Sequence, residues 1–152
     1  MDQKEFLEAY QMRLETLLKN SPNKIISMIQ PKLENVNFEE RIMTTKYETK
    51  NWEMNDYNIL HGGILATIID TSMGMYSSVL SGGSLVTTVS LTLNFLKPIP
   101  EDCSLLVNAK AVSVGKTIIS MSAEAIIQET GATAASAVGT FMVLKKPLEG
   151  QK

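Results

Sequence analysis

The residues able to do chemistry gather between Asn55 and Thr88. Asn55, His61-Gly62-Gly63 and Asp70 form the pattern N-x5-H-G-G-x6-D. Asp70 is the only charged residue between Gly62 and Leu96. It stands inside Ile64-Leu65-Ala66-Thr67-Ile68-Ile69-Asp70-Thr71-Ser72-Met73. At 100° per residue these apolar groups fall nearly all round a helix, which predicts a buried one. A carboxylate there costs several kcal/mol unless it is paired or hydrogen-bonded. Such a group suits a general base or a nucleophile; the alternative is a structural Asp bonded to Thr67 or Ser72. His61-Gly62-Gly63 opens the same helix. A helix N-terminus presents free N–H groups and partial positive charge, and Gly permits close backbone approach. Together these can polarise a carbonyl or hold an oxyanion. The plainer reading is a loop that turns into a helix.

Composition narrows what these residues could serve. The 152 residues suit one domain. Apolar residues make up 44% and charged residues 20%, a globular composition. Fourteen Lys and Arg balance sixteen Asp and Glu, so no basic excess points to nucleic acid. One Cys, Cys103, and one His, His61, leave no Cys/His zinc site. No metal is expected. The lone Cys, with two carboxylates beside it in Glu101-Asp102, is expected to be inert and points to a reducing compartment. The charged start MDQKEFLEAY lacks the apolar core of a secretory signal, and the charge-free run from Thr71 to Leu96 is too rich in Ser, Thr and Gly to span a membrane. A cytoplasmic location is therefore expected, with no membrane partner.

The elements that position the motif follow from periodicity. Phe6, Tyr10, Leu14, Leu17 and Leu18 recur at helical spacing, and Ile25, Ile26 and Ile29 suggest a short second helix stopped by Pro31. From Leu33 to Trp52 the chain reads as extended, with Trp52 packed in the core or bordering the site. His61 to Leu80 reads as the long apolar helix, closed by Ser81-Gly82-Gly83. Leu85, Val89, Leu91, Leu93 and Phe95 alternate with Thr88, Ser90, Thr92 and Asn94, which puts Thr88 on the polar face. Strands are expected over Ser104–Ala111, Thr117–Gln128 and Ala132–Leu144. Short turns between strands predict antiparallel neighbours. The class is α+β: one long apolar helix packed on an antiparallel sheet.

With Thr88 on the following strand, the constellation resembles the hotdog-fold acyl-CoA thioesterases. The similarity is to the phenylacetate-degradation PaaI-like branch of the 4-hydroxybenzoyl-CoA thioesterase superfamily. It spans roughly Leu33 to Lys146 and includes Asn55, His61-Gly62-Gly63, Asp70, Thr87-Thr88-Val89-Ser90-Leu91 and Asn94-Phe95-Leu96-Lys97-Pro98. The resemblance implies a sheet wrapped around one central helix. An N-terminal helical extension would occupy residues 1–32, the hotdog domain 33–146 and a tail 147–152. It implies that the Gly62 N–H polarises a thioester carbonyl and that Asp70 is general base or nucleophile. Thr88 would position the water or the carboxylate, Asn55 would orient water or thioester, and His61 would line the site. Lys97 and Lys116 could meet the phosphates of coenzyme A, although exposed Lys at turns is usual. Met73 and Met75 could line an acyl pocket or simply fill core. No cofactor is implied beyond the coenzyme A of the substrate. The family often has Gly where this chain has Asn58, and Asn also tolerates left-handed backbone.

One geometric consequence concerns assembly. Gly62 and Asp70 are eight residues apart on one helix, about 12 Å along its axis. Both cannot lie within ~3 Å of one thioester carbon, so a joint role requires Gly62 of one chain and Asp70 of another. A homodimer with two equivalent sites is expected, and a dimer of dimers is a further expectation. The expected function is hydrolysis of a small aryl-CoA or a short-to-medium-chain acyl-CoA. The alternatives are a non-catalytic acyl-CoA sensor or carrier, and a hotdog dehydratase, whose different His/Asp arrangement this chain's single His does not supply.

Overall fold

The computed structural model describes residues 2–144. Residues 145 and 146 of the expected domain, and the expected tail 147–152, lie outside the described residues. Helix α1 (Gln3–Asn20) starts with a capping box: Asp2 Oδ1 accepts from Glu5 N–H, and Glu5 Oε2 accepts from Asp2 N–H. Phe6, Tyr10 and Leu14 are its buried face. Helix α2 (Ile25–Ile29) follows, then strands β1 (Lys32–Asn37) and β2 (Ile42–Glu48). A 3-10 turn over Asn51–Glu53 leads into the loop before α3 (Gly62–Leu80). Four strands complete the described residues: β3 (Leu85–Phe95), β4 (Ser104–Val114), β5 (Ile118–Ile127) and β6 (Ala132–Leu144).

The six strands form one antiparallel sheet in the order β1-β2-β4-β5-β6-β3, and α3 packs across β3 to β6. The core lies between α3 and the sheet. Leu65, Ile68, Ile69, Met73 and Tyr76 of the helix meet Met43, Tyr47, Leu105, Ile119 and Phe141 of the strands. Helix α1 packs against α3 and β1, with Phe6 edge-on to Tyr76. α3 ends as its glycines predict. Gly82 has φ +74, its N–H reaches Val79 O, and Gly83 N–H reaches Ser78 O. That satisfies two carbonyls that a helix end otherwise leaves open.

Two expectations are corrected. Short connections do not always join neighbours here: β3 and β4 are consecutive but unpaired, because the Pro98–Pro100 connection carries the chain across the sheet end. Its Ile99 O accepts from Leu60 N–H, and β4 then docks on β2. Trp52 is not core; it is 46% exposed on the 3-10 turn.

Candidate active site

α3 begins at Gly62 because His61 caps it. The Gly63 N–H donates to His61 Nδ1 at 3.0 Å, and Leu65 N–H reaches His61 O. Among the described residues no protein group accepts from the Gly62 N–H. The first turn of a helix leaves such donors open. A Cβ on Gly62 would lie 3.4 Å from the Phe95 ring, so the missing side chain keeps open the space between helix start and ring. Gly62 lines a cavity of about 330 Å³ with Leu60, Leu65, Phe95, Lys97 and Ile99. The imidazole of His61 is spent on the cap, and His61 does not line this cavity.

Asn55 shapes the approach to the helix. Its Oδ1 accepts from Tyr57 N–H at 3.0 Å and Ile59 N–H at 3.2 Å. This side-chain turn fixes the loop that delivers His61. Asn58 adopts φ +58 in the same loop, the left-handed backbone expected of it. The Asn55 carbonyl is thereby committed to its own loop. Glu53, which sequence reading did not single out, anchors the same segment. It is 1% exposed, its Oε2 accepts from Lys50 N–H, and its backbone carbonyl accepts from His61 N–H. Burial raises its pKa, against the lowering pull of the Lys50 backbone N–H and the Lys50 charge.

Asp70 lies two turns further along α3. It is half-buried rather than buried, because α3 leaves one face open at Asp70, Thr71 and Gly74. Its partner is neither Thr67, which bonds Gly63 O, nor Ser72, which bonds Ile68 O and Tyr47. Thr88 Oγ1 donates to Asp70 Oδ1 at 2.7 Å. Strict alternation would have put Thr88 on the outer face. A bulge at Val89 inserts one extra residue, so Thr88 pairs with buried Phe141 and turns towards the helix. Asp70 and Thr88 line a cavity of about 230 Å³ with Gly74, Met75, Ser78 and Arg13.

The structure therefore brings Asp70 and Thr88 together, and Gly62 and Lys97 together, in two separate cavities of one chain. Met73 and Met75 are both core, and Met75 also lines the Asp70 cavity. Lys116 sits on the exposed β4–β5 turn, at the sheet end opposite Lys97. Cys103 is buried. Its thiol pKa is raised first by burial, which the Thr49 hydrogen bond opposes, and then by the charges of Glu129, Glu48 and Asp102. Arg13 was also not singled out from sequence. The available signal was its place on α1 four residues before Leu17, beside the apolar stripe of Tyr10 and Leu14. Among the described residues no group of three His, Cys, Asp or Glu could hold a metal, and no helix is long and apolar enough to cross a membrane.

Residues 57–134 match the family model described as the thioesterase superfamily, and the chain belongs to that superfamily. Over 75 residues the chain is 31% identical to the acyl-coenzyme A thioesterase THEM4 of Xenopus laevis. The match covers 49% of this chain and 33% of that protein. The chain thus spans about a third of the length of this curated relative. A hypothetical thioesterase of Streptococcus pneumoniae, solved with coenzyme A, is 25% identical. It superposes with a TM-score of 0.67 over 78% of this chain and 92% of its own. The E. coli PaaI protein of the phenylacetic acid degradation operon has a TM-score of 0.73 over 90% of this chain and 94% of its own. At 18% identity it shares the fold. These likenesses make the six-stranded sheet with its central helix a hotdog fold.

Proposed function

We propose that this protein hydrolyses acyl-CoA thioesters in a site built from two subunits, without metal or redox cofactor. The observation that carries the reading is the Asp70–Thr88 pair on an open cavity, with a free helix N-terminus at Gly62 on another. Thr88 holds Oδ1 of the carboxylate. Oδ2 then takes a proton from water, and the water oxygen attacks the thioester carbonyl. The Gly62 N–H of the partner subunit stabilises the oxyanion. The C–S bond breaks, the sulfur takes up a proton, and free acid and CoA leave. Relatives support the substrate: THEM4 is an acyl-coenzyme A thioesterase, and the streptococcal neighbour was solved with coenzyme A. The class proposed is a small aryl-CoA or a short-to-medium acyl-CoA.

The shared site rests on the sheet edge. β3 is the last strand of the sheet, and Val89 and Phe95 on it are 54% and 60% exposed. Such an edge offers unpaired backbone groups to a second copy. An antiparallel β3–β3 pairing about a two-fold axis between Leu91 and Thr92 sets Phe95 opposite Thr88 of the partner subunit. Gly62 lies against Phe95 and Asp70 against Thr88, so this pairing joins the two half-sites. It also carries Lys97 towards the partner's Lys116, where both would meet the phosphates of coenzyme A. Pairing of two such dimers and a cytoplasmic location complete the reading.

The test is free-thiol release over a panel of aryl-CoA and acyl-CoA esters of increasing length. Release from at least one class supports hydrolysis. Tight binding without release from any would favour a sensor.

A further inference from the structure

The cavity beside Asp70 extends along α3. Its lining includes Asp70, Gly74 and Ser78, three residues one turn apart on the helix, with Leu85 and Val86 of β3 opposite. The run from Asp70 to Ser78 is about 12 Å long. Gly74 puts no side chain into it; a Cβ there would make ordinary contact with the Phe141 ring at 3.5 Å. Arg13 of α1 lies at the far end. Its Nη1 donates to Gly83 O at 3.3 Å, on the loop that follows α3. Arg13 and Leu17 also line a second, largely apolar cavity of about 380 Å³ with Met12, Val79 and Gly83. The guanidinium therefore lies between the mixed polar and apolar cavity beside Asp70 and a largely apolar one.

That cation is incompletely satisfied. Arg13 Nε is buried and, among the described residues, has no hydrogen-bond partner. None of the three ion pairs among the described residues uses Arg13. Burial lowers its pKa. A bond to Gly83 O alone would need neither the charge nor the fork, and a buried donor without an acceptor destabilises the empty protein. A guanidinium lining the cavity suits a carboxylate, and a small rotation of the Arg13 side chain would bring the buried Nε edge into a two-point contact.

Resting on the thioesterase reading, we propose that Arg13 is a specificity-determining residue. It binds a carboxylate at the distal end of the acyl group, so the preferred substrates are mono-CoA thioesters of medium-length dicarboxylic acids. The slot sets the length. At roughly 1.3 Å of advance per carbon, from C–C bonds of about 1.5 Å, a 12 Å run takes about nine carbons. Leu85, Val86 and Met75 pack along the methylene chain, and the carboxylate meets Arg13.

The experiment compares the mono-CoA thioester of a ten-carbon dicarboxylic acid with decanoyl-CoA. Thiol release is measured for the natural chain and for Arg13→Gln. Binding of both thioesters to Asp70→Asn, with and without Arg13→Gln, is measured by calorimetry. The natural chain is expected to favour the dicarboxylic thioester by at least about tenfold in kcat/KM, the lower range for a charged hydrogen bond. Arg13→Gln should collapse that ratio to about one, and the binding ratio should collapse with it. Equal handling of both thioesters by the natural chain overturns the proposal, as does a ratio that survives Arg13→Gln. If Arg13→Gln weakens binding of free CoA as much as that of the thioester, the guanidinium reads a phosphate and the proposal also fails. Absence of release from either thioester, with the binding preference intact, would count against hydrolysis and still support the Arg13 assignment.

Discussion

The two ends of the α3 segment that carries the motif are built differently. At Gly62 the useful group is backbone. His61 caps the neighbouring amide, no side chain intrudes, and the helix start lies open beside Phe95. At Asp70 the useful group is a side chain. A carboxylate is held by a threonine that only a strand bulge turns inward. On the proposed reading one end supplies positive potential and the other a base. Neither cavity holds both. In the proposed mechanism this separation keeps the carboxylate from quenching its own helix N-terminus, and a second chain would join the two ends.

Substitutions at the two ends test that division. Asp70→Asn removes the base while keeping shape, and kcat should fall by at least ~10²-fold with the fold intact. Near-normal turnover with an unchanged circular dichroism spectrum would remove Asp70 from the chemistry. Gly62→Val acts at the other end. Gly62 does not need positive φ, so the helix should form, but the new side chain crowds Phe95 and the approach to the amide. Loss of one oxyanion donor costs about 10²-fold in kcat, which steady-state kinetics would read. A change confined to KM would assign Gly62 to binding alone.

Thr88→Ala should cost less, roughly two- to tenfold in kcat, since one hydrogen bond is worth roughly 0.5–1.5 kcal/mol. Its melting temperature should stay near that of the natural chain, because Thr88 is exposed on an edge strand. Unfolding instead would mark the hydroxyl as structural. His61→Ala has the smallest expected effect on chemistry. It removes a helix cap and should cost about 1 kcal/mol of stability. Equal loss of kcat and no loss of stability would place His61 in the site after all.

How much of this was legible in sequence depends on the kind of signal. The α3 boundaries followed from local chemistry: His61-Gly62-Gly63 at the start and Gly82-Gly83 at the end. The Gly62–Asp70 separation followed from helix geometry alone. The direction of Thr88 did not, because one inserted residue at Val89 reverses every face before it, and period-two reading cannot locate a bulge. Asp70 read as buried because its helix is apolar nearly all round. The open face at Gly74 depends on where α1 and β3 settle. Arg13 shows in the sequence only as a residue beside the α1 apolar stripe, and Glu53 carries no such mark. The surroundings of Arg13 come from distant parts of the chain, Gly83 after α3 and Leu85 and Val86 of β3.

The central claim is that each site takes Gly62 from one chain and Asp70 from another. Complementation between two dead parents tests it most directly. Asp70→Asn and Gly62→Val proteins are mixed, allowed to exchange subunits, and checked for mixed dimers by native mass spectrometry. Each mixed dimer holds one site with both defects and one with neither. With random exchange about half the dimers are mixed, so about a quarter of natural thioesterase activity should return. A confirmed mixed sample as inactive as its parents would contradict the shared site.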